Sequence, residues 1–511
     1  MANVLTHKRK TVHKNNRPPS FYVLAIFCTF SMLDLNAVQA AMLFFLVALI
    51  LGLLTNRKGV MMSPMVFIIA AYVLGYPLVI LFPGLYGGLW EGASPQALEY
   101  GMLWALRGFC AFGLGYVLVE QFGNRAGKNT ARDEALYRVR ICYTVYVLTC
   151  IGWLAMLAWV AYVMIFGISL TFIEGSTVSV DSAAGTLQQV LTLLSGLRNP
   201  FFLGFLILHF WKKTDRHLVL LCAALLVISM VEIVTIGSKA SIISGLVVGL
   251  LALAFLPIRL NLKQITIGLT ILVCVYGSFA VITEYRAIMH DEETAGRDVF
   301  DFAVQAESFG SAVMASLPFS ESAVGRRTKV EKENVFRRFG DGIFSFSALM
   351  GHTRWQPPYE HAWESLMVPA YSIAPRALIT DKPFFFDSDR NAREYYRWSY
   401  GGMSVTLLGS FYFAWGYAGI IFGMAFIGGI LSYFVKKAGL LGIYSPDWLI
   451  LLVALIVPLL DVGVTFQAIT ANVIRVAIIL WLLHLIYPLV RGAMRRRLSR
   501  ILNPIQRGGN A

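Results

Sequence analysis

Charge is scarce in this sequence: Asp, Glu, Lys and Arg make up 14% of its 511 residues, against 57% hydrophobic. A water-soluble protein of that composition would lack the polar groups to cover its surface, so a bilayer is the expected solvent. Cysteine is scarce too, with six in the chain. Cys28, Cys110, Cys142, Cys150 and Cys274 lie inside apolar runs, Cys222 lies near the start of another, and none falls in the one long polar segment. That distribution shows no disulfide framework and no zinc-ligand spacing, and it reads the thiols as small hydrophobes. Heptads, low-complexity tracts and short repeats are missing, which argues against coiled-coil and solenoid architectures.

What is present is a series of apolar runs under a mean hydropathy of +0.66. A helix needs about 20 apolar residues to cross the hydrocarbon. By that measure the expected spans are 20–34, 37–54, 61–82, 98–120, 141–168, 186–211, 217–236, 241–258, 264–284, 413–435, 447–464 and 472–490. The first is short enough to be re-entrant, and the sixth carries Arg198 and Pro200, where a break is expected. A basic start, an apolar run from Phe21 and small residues near Ala40 imitate a signal peptide. A second apolar run follows at once, so a membrane hairpin is the expectation. The fold class is therefore all-α and integral to a membrane, with about twelve spans. The expected parts are an N-terminal membrane region, 1–284, one large loop, 285–412, and a C-terminal membrane region with a basic tail, 413–511.

The net charge of +14 invites a nucleic-acid reading, but its placement argues against one. Basic residues gather at Lys8–Arg17 and Arg491–Arg500 and in the short loops after even-numbered spans: Arg57–Lys58, Arg125–Arg140, Lys212–Arg216, Arg259–Lys263 and Lys436–Lys437. Loops after odd-numbered spans, such as 83–97 and 169–185, are poor in Lys and Arg. This is the positive-inside pattern for a multi-pass membrane protein with both termini in the cytoplasm. It puts 285–412 on the outer side. That segment is too polar to span, and its amphipathic stretch Val299–Leu317 suggests short helices lying on the membrane domain. Long insertions of this kind are usually lids or binding loops.

Charged groups inside spans mark candidate sites. Arg107, Arg198, Glu232 and Asp461 lie within them, and Lys239, Glu284, Arg286 and Arg475 lie close to their ends. Nearly all fall in the outer half, which points to a polar cavity open to that side. Structural ion pairs, such as Arg107 with Glu232 or Arg475 with Asp461, are the plain alternative. Arginine forks and lysine ammonium groups suit phosphate oxygens, so the expected ligand is anionic. The turn Gly237-Ser238-Lys239-Ala240-Ser241 offers backbone N–H groups, hydroxyls and an ammonium at a helix start.

In the large loop, Pro375-Arg376-Ala377-Leu378-Ile379-Thr380-Asp381-Lys382-Pro383 is held between two prolines, followed by Asp387-Ser388-Asp389-Arg390 and an aromatic-basic run to Tyr400. Aromatic faces beside carboxylates and guanidinium groups suit sugars; a solvated loop with an amphipathic helix is the alternative for 390–400. Glu360, His361, Glu364, His352, Asp387 and Asp389 are all candidate general bases, and the sequence does not choose among them. The Asp387–Asp389 spacing is too common to assign a metal. Gly245 and Gly249, with Gly401, Gly402, Gly409, Gly416 and Gly419, read first as turn and close-packing positions.

Three features together resemble the Wzy-type polymerases of bacterial O-antigen repeat units. They are the Gly237–Ser241 turn, the Pro375–Pro383 segment, and the run Gly409…Tyr412…Gly416-Tyr417-Ala418-Gly419 leading into the next span. The resemblance implies a GT-C-like membrane glycosyltransferase that joins undecaprenyl-pyrophosphate-linked oligosaccharides. The lipid-A-core O-antigen ligases share the architecture and are the nearest alternative; a lipid-linked oligosaccharide flippase is the main non-enzyme one. Arg198 and Arg376 would then stabilise the leaving pyrophosphate, with Glu360, His361 or Asp387 as base. Arg107, Ser238, Lys239, Ser241, Arg286, Lys382 and Arg390 would bind pyrophosphate or glycan. The first outer loop carries a lone acid, Asp34, which favours the metal-independent branch of such enzymes, with no cofactor. Implied partners are the lipid-linked oligosaccharide, membrane lipids, a chain-length regulator and a flippase, with no nucleic acid.

Overall fold

The computed structural model describes residues 20–55, 64–86, 94–122, 302–316, 335–354, 405–439 and 446–482 except 462, with a few more in 153–162, 187–194 and 281–289 and at 367 and 485. Among the described residues there is no strand; every regular element is a helix. In order these are α1 (Ser20–Phe30), α2 (Ala37–Thr55), α3 (Pro64–Gly75), α4 (Pro77–Leu81), α5 (Pro95–Phe122), α6 (Phe302–Ser316), α7 (Val335–His352), α8 (Thr406–Gly439) and α9 (Pro446–Leu459). A last helix, α10, covers Phe466–Leu482.

Among the described residues, four segments are long and apolar enough to cross a membrane: Ala37–Thr55, Pro64–Leu81, Pro95–Gln121 and Thr406–Ala438. They answer to the expected spans 37–54, 61–82, 98–120 and 413–435. The spans expected at 447–464 and 472–490 correspond to shorter apolar helices, Asp447–Leu459 and Phe466–Leu482. The first, 20–34, is an 11-residue helix, too short to cross by itself at about 1.5 Å per residue. The spans expected between 141 and 284 lie outside the described residues apart from isolated positions.

The outer faces of these helices are apolar. Leu53 on α2 is 69% exposed and Phe422 on α8 is 75% exposed, with Ile26, Phe45, Leu49 and Phe426 similarly turned outward. A surface of that kind suits lipid and would be a liability in water. Inside, small residues let helices approach closely, because lipid removes the hydrophobic drive and leaves packing to hold them. Helices α5 and α8 run parallel, and a Cβ at Gly115 would strike the Ala425 backbone while one at Gly428 would strike the Phe112 carbonyl. Phe44 of α2 stacks on Phe109 of α5 at 4.4 Å, and Tyr72 of α3 stacks near Phe112 at 6.5 Å. Pro77 starts α4, and α3 ends at Gly75, just before Tyr76, since proline restricts the residue before it and offers no N–H.

The large loop departs from expectation in one respect. Helix α6 realises the amphipathic stretch Val299–Leu317, with a small cluster formed by Ala312, Phe309, Tyr285 and Met289. Helix α7 does not lie on the membrane domain: from Gly342 to Met350 every residue is buried, and Ile343, Phe344, Phe346, Leu349 and Met350 join the main core. Ser347 packs against Gly101 of α5, so the absence of a side chain on α5 makes room for this helix.

Candidate functional site

The turn between α1 and α2, the start of α5, the end of α7 and the starts of α8 and α10 meet at one end of the helices. Each start is fixed by its own sequence. Asn36 caps α2 by accepting from Gln39 N at 2.9 Å, while Gln39 Oε1 accepts from Asn36 N at 3.2 Å, a reciprocal capping box. Ser94 Oγ accepts from Ala97 N at 3.1 Å at the start of α5, and Thr465 Oγ1 accepts from Ala468 N at 3.3 Å at the start of α10. Thr406 Oγ1 accepts from Gly409 N at 3.1 Å. Thr406 holds φ at 66°, a left-handed conformation that costs a β-branched residue about 1–3 kcal/mol. Ser410 Oγ donates to the Thr406 carbonyl and accepts from Phe466 N at 3.3 Å, tying α8 to α10.

Helix α8 is interrupted after one-third of its length. Trp415 (φ −139°, ψ 16°) and Gly416 (φ 65°, ψ −149°) leave the helical region, and only glycine adopts that second conformation readily. The interruption lies between Tyr412 and Tyr417, whose ring centres are 5.5 Å apart, with Tyr417 facing α5 and Tyr412 facing the end of α7. The Trp104 ring stacks on Tyr417 at 4.3 Å and Tyr100 stands edge-on to both. Tyr100 OH donates to Tyr417 OH at 3.2 Å, Tyr417 is bonded to Tyr412, and Tyr412 OH meets Thr353 Oγ1 at 3.0 Å. Thr353 in turn reaches the Leu349 and Met350 carbonyls of α7. A chain of hydroxyls thus joins the loop helix to α5.

Beside Tyr100 opens a cavity of about 410 Å³ lined by Asp34, Leu35, Asn36, Gln96, Glu99, Tyr100 and Leu103. Among the described residues, its polar groups are two carboxylates, two carboxamides and a phenol, with no basic side chain. Arg107 sits one turn further along α5. Its Nε donates to the Ser31 carbonyl at 2.9 Å, its guanidinium lies 4.7 Å from the Trp104 ring centre, and Asp34 attracts it electrostatically. Of the residues that the resemblance assigns to the site, Arg107 is the one within the described residues; the further candidates Glu284, His352, Asp461 and Arg475 are also described, and Glu284 is buried. Arg198, Ser238, Lys239, Ser241, Arg286, Glu360, His361, Arg376, Lys382, Asp387 and Arg390 lie outside the described residues, as does Glu232.

The alternative pairing of Arg475 with Asp461 is not formed. Asp461 Oδ1 accepts from Gly463 N at 3.0 Å, whereas Arg475 sits about 13 Å of helical rise beyond Phe466 with its Nε buried and unbonded. His352, at the end of α7, is half-buried, and desolvation holds its imidazole below the usual value. Tyr86 donates to the Leu74 carbonyl at 2.7 Å, and burial pushes its phenol up to about 12. Cys28 and Cys110 are buried free thiols in contact with one another. Among the described residues, no three His, Cys, Asp or Glu side chains gather as a metal site.

Sequence reasoning gave Gln96, Glu99, Tyr100, Trp104 and Thr353 no role. The signal that could have found them is the clustering of Glu99, Tyr100, Trp104 and Arg107 within two turns of one helix. The chain matches no protein-family model, no curated protein and no solved structure.

Proposed function

We propose that this chain is a GT-C-like glycosyltransferase of about twelve spans that polymerises undecaprenyl-pyrophosphate-linked oligosaccharides at the periplasmic face of the bacterial inner membrane, with both termini in the cytoplasm. One observation carries this reading: a helix from the large polar loop is built into the apolar helical core, and hydroxyls tie its end to a cavity of carboxylates, carboxamides and tyrosine. Such groups match the alternating donors and acceptors of a sugar. A lid serving glycan transfer next to lipid needs the same combination, namely a fixed loop, a polar mouth and lipid-facing walls.

In this reading Arg198, Arg376 and the Ser238-Lys239 turn stabilise charge on the departing pyrophosphate, and Arg107, Ser241, Arg286, Lys382 and Arg390 bind pyrophosphate or glycan. A loop carboxylate or histidine (Glu360, His361 or Asp387) takes the acceptor proton. Deletion of the gene tests the function directly. Surface glycan resolved on a gel should collapse to a single repeat unit on its anchor. Loss of all anchored glycan would transfer the assignment to a ligase or a flippase, and an unchanged ladder would end it. Re-expressed Arg198→Ala and Arg376→Ala proteins should reach the membrane and leave the ladder collapsed; full-length glycan from both would refute the anion site.

A further inference from the structure

We propose that the cavity beside Tyr100 is a subsite for one sugar ring that is neutral or amino-bearing, and that it rejects acidic sugars; this presupposes the glycan chemistry proposed above. The volume of about 410 Å³ falls in the range of small-ligand sites. Asp34 and Glu99 are pure acceptors, able to take paired hydroxyls, and Gln96 both donates and accepts. Asn36 has its oxygen engaged by Gln39 N, so its amide nitrogen is turned to donor work. Tyr100 supplies an aromatic face, and its ring is prevented from swinging by edge contacts to Trp104 and Tyr417. The site is therefore prepared before the sugar arrives, which reduces the ordering cost of binding.

The sign of the charge sets the selectivity. Among the described residues, none of the lining side chains is basic, and two are carboxylates. Arg107, the nearest cation on α5, is attracted by Asp34 but has its Nε on the Ser31 carbonyl and its guanidinium over Trp104, so it leaves the Glu99 carboxylate uncompensated among the described lining residues. A sugar carboxylate would face the carboxylates of Asp34 and Glu99 in the lining, whereas an ammonium would be attracted by both. Even in a water-like dielectric, one such contact amounts to about fivefold in affinity.

The test uses the full chain in lipid nanodiscs, with EDTA present, and saturation-transfer NMR with glucosamine and glucuronate as probes. These rings are closely similar and differ in charge. Glucosamine should receive saturation from the protein, and glucuronate about fivefold less. Gln96→Ala and Glu99→Ala should each weaken the glucosamine signal about three- to tenfold, the worth of one lost hydrogen bond, or more where it is to a charge. Asp34→Asn combined with Glu99→Gln should bring the two sugars level. Asp34, Gln96 and Glu99 are exposed, so these changes leave helix packing alone. No transfer to glucosamine, equal transfer to both sugars, or transfer unaffected by the variants would each overturn the subsite. The two proposals separate cleanly. Groove binding with an intact surface ladder after gene deletion would remove the polymerase and keep the subsite; the reverse result would remove the subsite alone.

Discussion

Helices α6 and α7 come from the same polar segment, 285–412, yet α6 leaves Ala306, Glu307, Gly310 and Ser311 exposed while α7 is buried throughout Gly342–Met350. Their sequences explain the difference. In α7 the small residues Ser347 and Gly351 sit against Gly101 and Ala97 of α5, and Ile343, Phe344, Phe346, Leu349 and Met350 fill the space around it. In α6 the apolar residues make one narrow stripe, enough for the cluster with Tyr285 and Met289 and no more. A polar loop can therefore contribute one helix to the core and another to its margin.

The comparison breaks or holds on truncation. Phe346→Ala empties a fully buried site in α7 and should cost about 3–5 kcal/mol of stability. Phe309→Ala in α6 removes one edge-to-face pair with Tyr285 and should cost about 1 kcal/mol beyond its modest burial. Denaturant unfolding in mixed micelles reads both. Equal losses would mean that α6 is as deeply anchored as α7.

Glycines sharpen the contrast because the expected effects differ in sign. A Cβ at Gly101 meets Ser347 of α7, side chain and backbone together, whereas one at Gly310 of α6 meets nothing within 4 Å. Gly101→Ala should destabilise by about 1–3 kcal/mol through overpacking. Gly310→Ala should stabilise by about 0.5–1 kcal/mol, since alanine restricts the unfolded chain and favours helix. Melting temperatures moving in the same direction would contradict the difference in burial.

These two helices also mark where the sequence was legible. The stretch 299–317 was readable because its apolar stripe follows helical period, and the spans at 37–54, 61–82, 98–120 and 413–435 because each is predominantly apolar over a bilayer-crossing length. Burial of α7 was not readable. Arg337, Arg338 and Asp341 make its first turns polar, and a window average over them conceals the apolar end that enters the core. The cavity was hidden for another reason: Asp34 and Glu99 are far apart in sequence, and pairing them needs the approach of the α1–α2 turn to α5. Asp34 was seen only as a lone acid. Arg107 was picked out by the rarity of charge in spans, but its partners Ser31 and Trp104 are a backbone carbonyl and an indole face, which charge pairing cannot reveal.

The hydroxyl chain gives a finer test of how α7 is held. Tyr412→Phe keeps the ring and deletes the bond to Thr353, and Thr353→Val deletes the same bond from the other side. Each should cost about 1 kcal/mol. In a double-mutant cycle the pair should cost less than the sum, because one shared bond is lost only once. Strict additivity would show that the contact contributes nothing to anchoring α7.

The smallest effects are in pH, and the two helices should respond at opposite ends of the scale. Burial lowers the His352 imidazole of α7 from its ordinary 6.5, so below that value the unfolded chain takes up a proton that the folded one resists. Stability should be full above pH 6.5 and decline as the pH falls through the folded value. Burial instead raises Tyr285, packed on α6, from 10.0 to about 12. Here the unfolded chain loses its proton first, so stability is full below pH 10 and declines as the pH rises toward 12. Unfolding profiles of His352→Gln and Tyr285→Phe variants read the two ends separately. The first should flatten the acid limb and leave the alkaline one, and the second should do the reverse; an exchange of those limbs would mean that the burial of one group or the other is wrongly placed.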